Sequence, residues 1–318
     1  MRDLPEFVGE GDVIVLNETR VLPARLRGRK STGGAVEVLL LQETETGAVV
    51  AGGCEQEWVA LVRPGARVAP GTVLRVEPPS QRGHRCDVTL AIEVGERLEG
   101  GLRPVRLVSH GADVTTAVGG FGEVPLPPYL KTALGDSERY QTVYAAVPGS
   151  VAAPTAGLHL TTDVLDRCRA HGARIVALDL AVGLGTFRPV TVDHLADHEM
   201  HTERYAVPAE TMAACRSARR VLAIGTTTAR ALESAAATGD LSGQTNLLIS
   251  GDYPWQVVDL LMTNFHQPRS TLLAMIESFV GHRWREMYAL ALADGYRFLS
   301  FGDAMLLRAR DQARTPRS

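Results

Sequence analysis

Two incompatible periodicities divide this chain of 318 residues. From about Arg25 to Val108 it reads as short apolar or alternating runs between Gly and Pro punctuation: Val36–Gln42, Trp58–Val62, Val73–Glu77, Asp87–Val94 and Leu102–Val108. Alternation of period two with turn signals between runs predicts short strands, closed as a small barrel or stacked as a sandwich. The Arg63-Pro-Gly-Ala-Arg67 segment is one such turn. From Tyr140 onward strands alternate with helices. Thr161–His171, Ala209–Arg219, Thr227–Ala237, Ser270–Val280 and Trp284–Ala293 read as helices. Arg174–Gly183, Val221–Gly225, Leu247–Ser250, Val257–Met262 and Arg297–Phe301 read as strands.

Alternating strands and helices imply a mostly parallel sheet covered by helices. The early apolar run Asp12–Asn17 is expected to join that sheet. The fold class expected is therefore an α/β domain, 1–24 with 111–318, carrying an inserted all-β barrel, 25–110. Gly111–Gly122 is small and flexible in composition, and Val124–Tyr129 is extended by its prolines.

Composition narrows the class further. A hydrophobic fraction of 45% with 22% charged residues excludes wholesale disorder. The net charge of −3 argues against a protein that coats nucleic acid indiscriminately. Four widely spaced cysteines indicate neither a zinc ribbon nor a disulfide framework. No apolar run reaches membrane-spanning length. The first residues lack the layout of a signal peptide, so a cytoplasmic location is expected.

Three polar segments stand at predicted sheet-edge loops, where α/β enzymes bind ligands. Ala153–Leu160 is a Pro- and Gly-bearing loop leading into a helix, with His159 either near a ligand or packed as part of the helix start. Asp197–Glu203 holds His198, His201 and Glu203. On a helix the histidines would share a face and could ligate zinc with Glu203; the alternatives are acid/base chemistry near neutrality and a solvated strand end. Met262–Ser270 holds Asn264, His266 and Arg269 after an apolar run, as a site or as a capping loop for a helix begun at Ser270.

Supporting segments have the same character. Val182–Phe187 is a Gly-bearing turn without a dinucleotide fingerprint. Ile224–Arg230 runs from strand through Gly225 and a threonine cluster into helix, and could receive an anion. Ser300–Asp303 closes a strand with a carboxylate. Arg25, Arg27 and Arg29 alternate, so one strand face is basic; it either meets RNA phosphates or is simply solvated.

Taken together, GDVIVLNETRVLPARL (11–26), VPLPPYL (124–130), ERYQTVYA (138–145), AAPTAGLHLT (152–161), GLGTFRPV (183–190), HEMHTE (198–203), IGTTTARALES (224–234), VVDLLMTNFHQPRSTLL (257–273) and YRFLSFGDAML (296–306) resemble the S-adenosylmethionine:tRNA ribosyltransferase-isomerase family of queuosine biosynthesis. The resemblance implies an α/β domain with an inserted β-barrel. It implies transfer and isomerisation of the ribosyl part of S-adenosylmethionine onto 7-aminomethyl-7-deazaguanine in a tRNA anticodon arm, giving epoxyqueuosine and releasing adenine and methionine. S-adenosylmethionine would be co-substrate, with no metal and no membrane partner.

Such a reaction needs a base beside the sulfonium and a group to help adenine leave. His159, His198, His201, Glu203 and His266 are the catalytic candidates. Asn17, Thr19, Arg20, Arg25, Tyr140, Gln141, Thr142, Pro154, Thr155, Gly157, Gly185, Thr186, Thr226, Thr227, Arg230, Thr263, Asn264 and Asp303 are the substrate-binding candidates. Two departures keep other readings open. Ala181 stands where the family usually has histidine, and Gly251-Asp252-Tyr253 replaces a Pro-Gly-Tyr stretch. A paralogue with a small-molecule acceptor, or a catalytically reduced nucleoside- or tRNA-binding homologue, would fit them.

Overall fold

The computed structural model of the chain describes residues 1–50, 53–79, 87–126, 137–183, 192–198, 200 and 202–310. The chain forms two compact units: Met1–Arg20 with Glu138–Ser318, and Val21–Ser137.

The first unit is built on a seven-stranded mixed sheet. Its order is Ser242–Thr245, Glu203–Ala206, Arg174–Leu180, Asp12–Asn17, Arg220–Ile224, Leu260–Asn264 and Ala304–Arg308. The four strands from Arg174–Leu180 to Leu260–Asn264 run parallel. The edge strands are antiparallel. Period two sends the first strand's side chains to opposite faces. Val13 and Val15 enter a core with Leu178, Val221, Leu232 and Phe279. Ile14 and Leu16 enter a second core with Leu160, Val164, Leu222 and Met262. Helices therefore cover both faces, as a parallel sheet requires.

The helices start where the sequence signals them. Thr161 Oγ1 accepts the N–H of Val164 and caps Thr162–Ala170. Ser270 Oγ accepts the N–H of Leu273 and caps Thr271–Val280. The helix Trp284–Ala293 spans its expected residues.

Three strand expectations are corrected. Leu247–Ser250 is irregular, and the edge strand is the polar Ser242–Thr245. Ile249 is buried as a loop residue in the core, so its apolar character marks burial, not a strand. Val257–Met262 starts three residues later, at Leu260, because the N–H groups of Val257 and Val258 donate to the Glu233 carboxylate. Arg297–Phe301 is a tight loop: Leu299 takes a left-handed φ of 73°, and the strand is Ala304–Arg308. Phe298 there packs on Phe265 and Tyr288.

The second unit is a closed barrel of Arg25–Lys30, Ala35–Val50, Gly53–Arg63, Leu102–His110, Thr89–Val94 and Thr72–Val76. Leu26, Val38, Leu40, Leu74, Ile92 and Leu107 fill it. Arg103 is a buried exception, donating to the carbonyls of Gly95 and Val68. Gly111–Gly122, expected to be flexible, holds the helix Val114–Phe121. Asp113 caps it through the N–H of Thr116 at 2.8 Å, and Val114, Ala117, Val118 and Phe121 bury one helical stripe.

Candidate functional site

Four parallel strands end on the same edge of the sheet, and their carboxyl ends carry Asn17, Ala181–Gly183, Gly225–Thr228 and Thr263–His266. Asp303 precedes the antiparallel strand whose Ala304 pairs with Asn264. Loops beyond the carboxyl ends of parallel strands converge, which is why ligands bind there.

Two of the three polar segments meet at this edge. Pro154–Leu160 forms a 3-10 turn, Thr155–His159. Thr155 Oγ1 donates to Asn264 Oδ1 at 3.2 Å, and Asn264 Nδ2 lies 2.8 Å from His159 Nε2. The amide carbonyl is already an acceptor, so the amide nitrogen donates to His159 Nε2. That hydrogen bond fixes a neutral imidazole with its proton on Nδ1. Burial lowers the His159 pKa, and the positive amino terminus lowers it further, against the opposing charge of Asp303. Thr263 Oγ1 lies 2.9 Å from His266 Nε2. Burial pushes His266 down to about 4, so it too is neutral at pH 7. The N–H of His266 donates to Tyr288 Oη at 3.0 Å and anchors the loop on the aromatic cluster below.

The third segment divides. His198 is half-buried after the 3-10 turn Leu195–Asp197, with its N–H on Leu195 and no side-chain partner among the described residues. His201 lies outside the described residues. Glu203 is buried and accepts from the N–H of Gly183 at 3.0 Å and from Arg230 Nη2. Arg230 is buried as well, and burial lowers its pKa to about 10, still well above neutrality. Glu203 therefore serves as the counter-charge of Arg230 and ties two strand ends to a helix.

The remaining candidates have separate surroundings. Asn17 is fully buried and fully engaged: Oδ1 accepts the N–H groups of Thr19 and Leu180, and Nδ2 donates to Leu180 O and Thr227 Oγ1. It fastens two strands to the helix that begins at Thr226. The Thr19 hydroxyl is buried without a hydrogen-bond partner, Arg20 pairs with Glu138 at 2.5 Å, and Asp303 accepts from Arg297 N–H at 2.8 Å. Tyr140 is buried beneath Phe301 at 6.1 Å, next to a half-buried Gln141. Arg25 belongs to the barrel unit, with its Nε buried and without a hydrogen-bond partner. Gly185 and Thr186 lie outside the described residues.

Sequence reading missed Tyr144. Its hydroxyl is shut from solvent with no hydrogen-bond partner, as is that of Thr142. Both press on Gly157, where an added Cβ would lie 2.0 Å from Tyr144 Oη and 2.8 Å from Thr142 Cγ2. Burial raises the Tyr144 pKa and keeps it a protonated donor. Thr142 and Tyr144 lie in a turn closed by the Ala145 N–H on the Thr142 carbonyl, so period-two spacing gave no signal for them. Among the described residues no group of three or more His, Cys, Asp or Glu is placed to hold a metal ion. No helix of the described residues is long and apolar enough to cross a membrane.

An α/β unit with neutral histidines at the ends of its parallel strands, paired along the chain with a small barrel, defines the class of protein. The family model described as "Queuosine biosynthesis protein" matches residues 1–307, and the chain belongs to that family. A Sorangium cellulosum protein named S-adenosylmethionine:tRNA ribosyltransferase-isomerase is 47% identical, over 98% of this chain and 88% of its own. Proteins of the same name from Thermus thermophilus and Rubrobacter xylanophilus are each 48% identical over 96% of this chain, and 87% and 85% of theirs. A solved S-adenosylmethionine tRNA ribosyltransferase from Thermotoga maritima is 31% identical, covering 96% of this chain and 85% of that one, with a TM-score of 0.47.

Proposed function

We propose that this chain is an S-adenosylmethionine:tRNA ribosyltransferase-isomerase. It transfers the ribosyl part of S-adenosylmethionine to 7-aminomethyl-7-deazaguanine in a tRNA anticodon arm and isomerises it to the epoxide of epoxyqueuosine. Adenine and methionine leave. S-adenosylmethionine is a co-substrate, and the reading invokes neither metal nor redox cofactor.

The observation that carries this reading is the Thr155–Asn264–His159 chain at the sheet edge. A sulfonium is cationic, and a charged imidazole beside it would repel it. Burial keeps His159 and His266 neutral, which removes that repulsion. His159 Nδ1–H is the donor left over after Asn264 takes Nε2, and it suits a leaving nitrogen or a developing negative charge. Asp303 places its carboxylate charge where it favours a proton on that ring.

The deciding experiment incubates the protein with S-adenosylmethionine, with and without tRNA bearing the aminomethyl base, and identifies all products by mass. Adenine and methionine released only with that tRNA support the reading. Release with a small-molecule acceptor alone, or binding without release, contradicts it.

A further inference from the structure

The basic strand face singled out by the alternation of Arg25, Arg27 and Arg29 takes no part in the site just described. Its surroundings in the barrel unit are unusual. Leu26 and Gly28 point inward and are buried, while Arg27 and Arg29 are exposed. Arg27 is neutralised by Glu123 at 3.1 Å. Arg29 pairs with Glu77 at 2.8 Å, and antiparallel pairing also sets it directly opposite Arg75, which is exposed. Like charges facing each other across two strands destabilise a sheet. Lys30, whose Nζ donates to the carbonyl of Arg67, adds a third cation beside them.

These side chains border an open groove of about 720 Å³, lined by Arg29, Lys30, Arg75, Ala91, Phe121 and others. Glu77 is the one acidic residue among the described residues of that lining. Three cations (Arg29, Lys30, Arg75) against Glu77 leave an excess of two positive charges among the described residues of that lining, on a chain whose net charge is −3. Ala91, directly opposite Arg75, is small enough to leave the groove open between them. Val73, 56% exposed on the same wall, offers apolar contact beside the charge.

An open channel edged by arginines that face one another suits a polyanion, whose phosphates relieve the repulsion between them. Building on the tRNA reading above, we propose that this barrel groove binds the sugar–phosphate backbone of the tRNA substrate. Arg75 and Arg29 contact phosphates, and the groove contributes affinity without sequence readout.

The test measures binding of the full chain to fluorescein-labelled tRNA transcript from 50 to 200 mM salt, together with turnover on tRNA bearing the aminomethyl base. Two variants are used: Arg75→Glu, which removes a cation, and Ala91→Glu, which puts a carboxylate into the groove with every arginine kept. Both lie on the outer face of the barrel, and melting curves establish that each is folded. The expected result is at least a tenfold rise in Kd for both, with the log–log salt slope of Arg75→Glu shallower by about 1. KM for tRNA rises and kcat holds. Wild-type affinity and salt slope in both variants, with the wild type active on tRNA, overturn the groove and leave the activity standing. A wild type that neither binds nor modifies tRNA overturns both.

Discussion

The α/β unit and the barrel treat polar side chains in opposite ways. In the α/β unit Asn17, Glu203, Arg230, Glu233, Thr263 and Asn264 are buried, and hydrogen bonds connect them at strand ends and helix starts. Among the described residues of the barrel the interior is apolar apart from Arg103 and Ser109, and charged groups such as Arg106, Glu55 and Glu93 lie outside. Buried polar groups are costly unless partnered, and partnered ones hold a single geometry. The α/β unit, where the proposed site must aim a proton, therefore carries its polarity inside. A unit that must only fold and present charge keeps it outside.

The sharpest way to break this contrast is to remove the aimed group. His159→Ala should lower turnover of S-adenosylmethionine with modified tRNA by about 10²–10⁴-fold. The folded fraction should not change, because the ring is only half-buried. Near-normal turnover in His159→Ala would remove the histidine from the chemistry.

A large stability effect is expected from the buried pair. Glu203→Gln leaves Arg230 without its counter-charge and should cost about 3–5 kcal/mol, read from urea unfolding. The double variant Glu203→Leu/Arg230→Leu should recover much of that loss. Equal losses in the single and double variants would mean that packing, and not the charge, matters there.

Gly157 and Tyr144 sharpen the contrast within the site. Gly157→Ala forces a methyl against Tyr144 Oη and should cost about 1–3 kcal/mol. Tyr144→Phe removes a hydroxyl that has no partner, so stability should hold or rise. A fall in turnover at unchanged melting temperature would place that hydroxyl against substrate. A destabilised Tyr144→Phe would show instead a structural hydrogen bond.

The smallest effect belongs to the barrel exterior. Arg106 bridges Glu55 and Glu93, with all three side chains partly exposed. Glu93→Gln should change stability by less than about 1 kcal/mol and turnover not at all. A loss comparable to that of Glu203→Gln would erase the distinction between the two units.

Much of this was legible before any coordinates. Val13 and Val15 against Ile14 and Leu16 announce a strand buried on both faces, because period two is a local property. Ser270 and Thr161 announce helix starts because capping acts within one turn. The failures share a cause. Val257 and Val258 look like strand residues, yet Glu233, 24 and 25 positions earlier, takes their N–H groups. Phe298 and Leu299 look like a strand, yet aromatic packing and a left-handed residue fold them into a loop. Gly111–Gly122 looks loose, although its apolar residues at 114, 117, 118 and 121 already had helical spacing.

Sequence alone determined the two textures, the helix caps and the polar strings that carry the family resemblance, since each depends on residues near one another in the chain. Tertiary structure decided the roles. Asn264 reaches back 105 residues to set the tautomer of His159, and Glu203 turns from a candidate acid into the counter-charge of Arg230, 27 residues away. A side chain's chemistry is set by what burial and its neighbours do to its proton, and those neighbours are chosen by the packing of the sheet, not by the chain's local order.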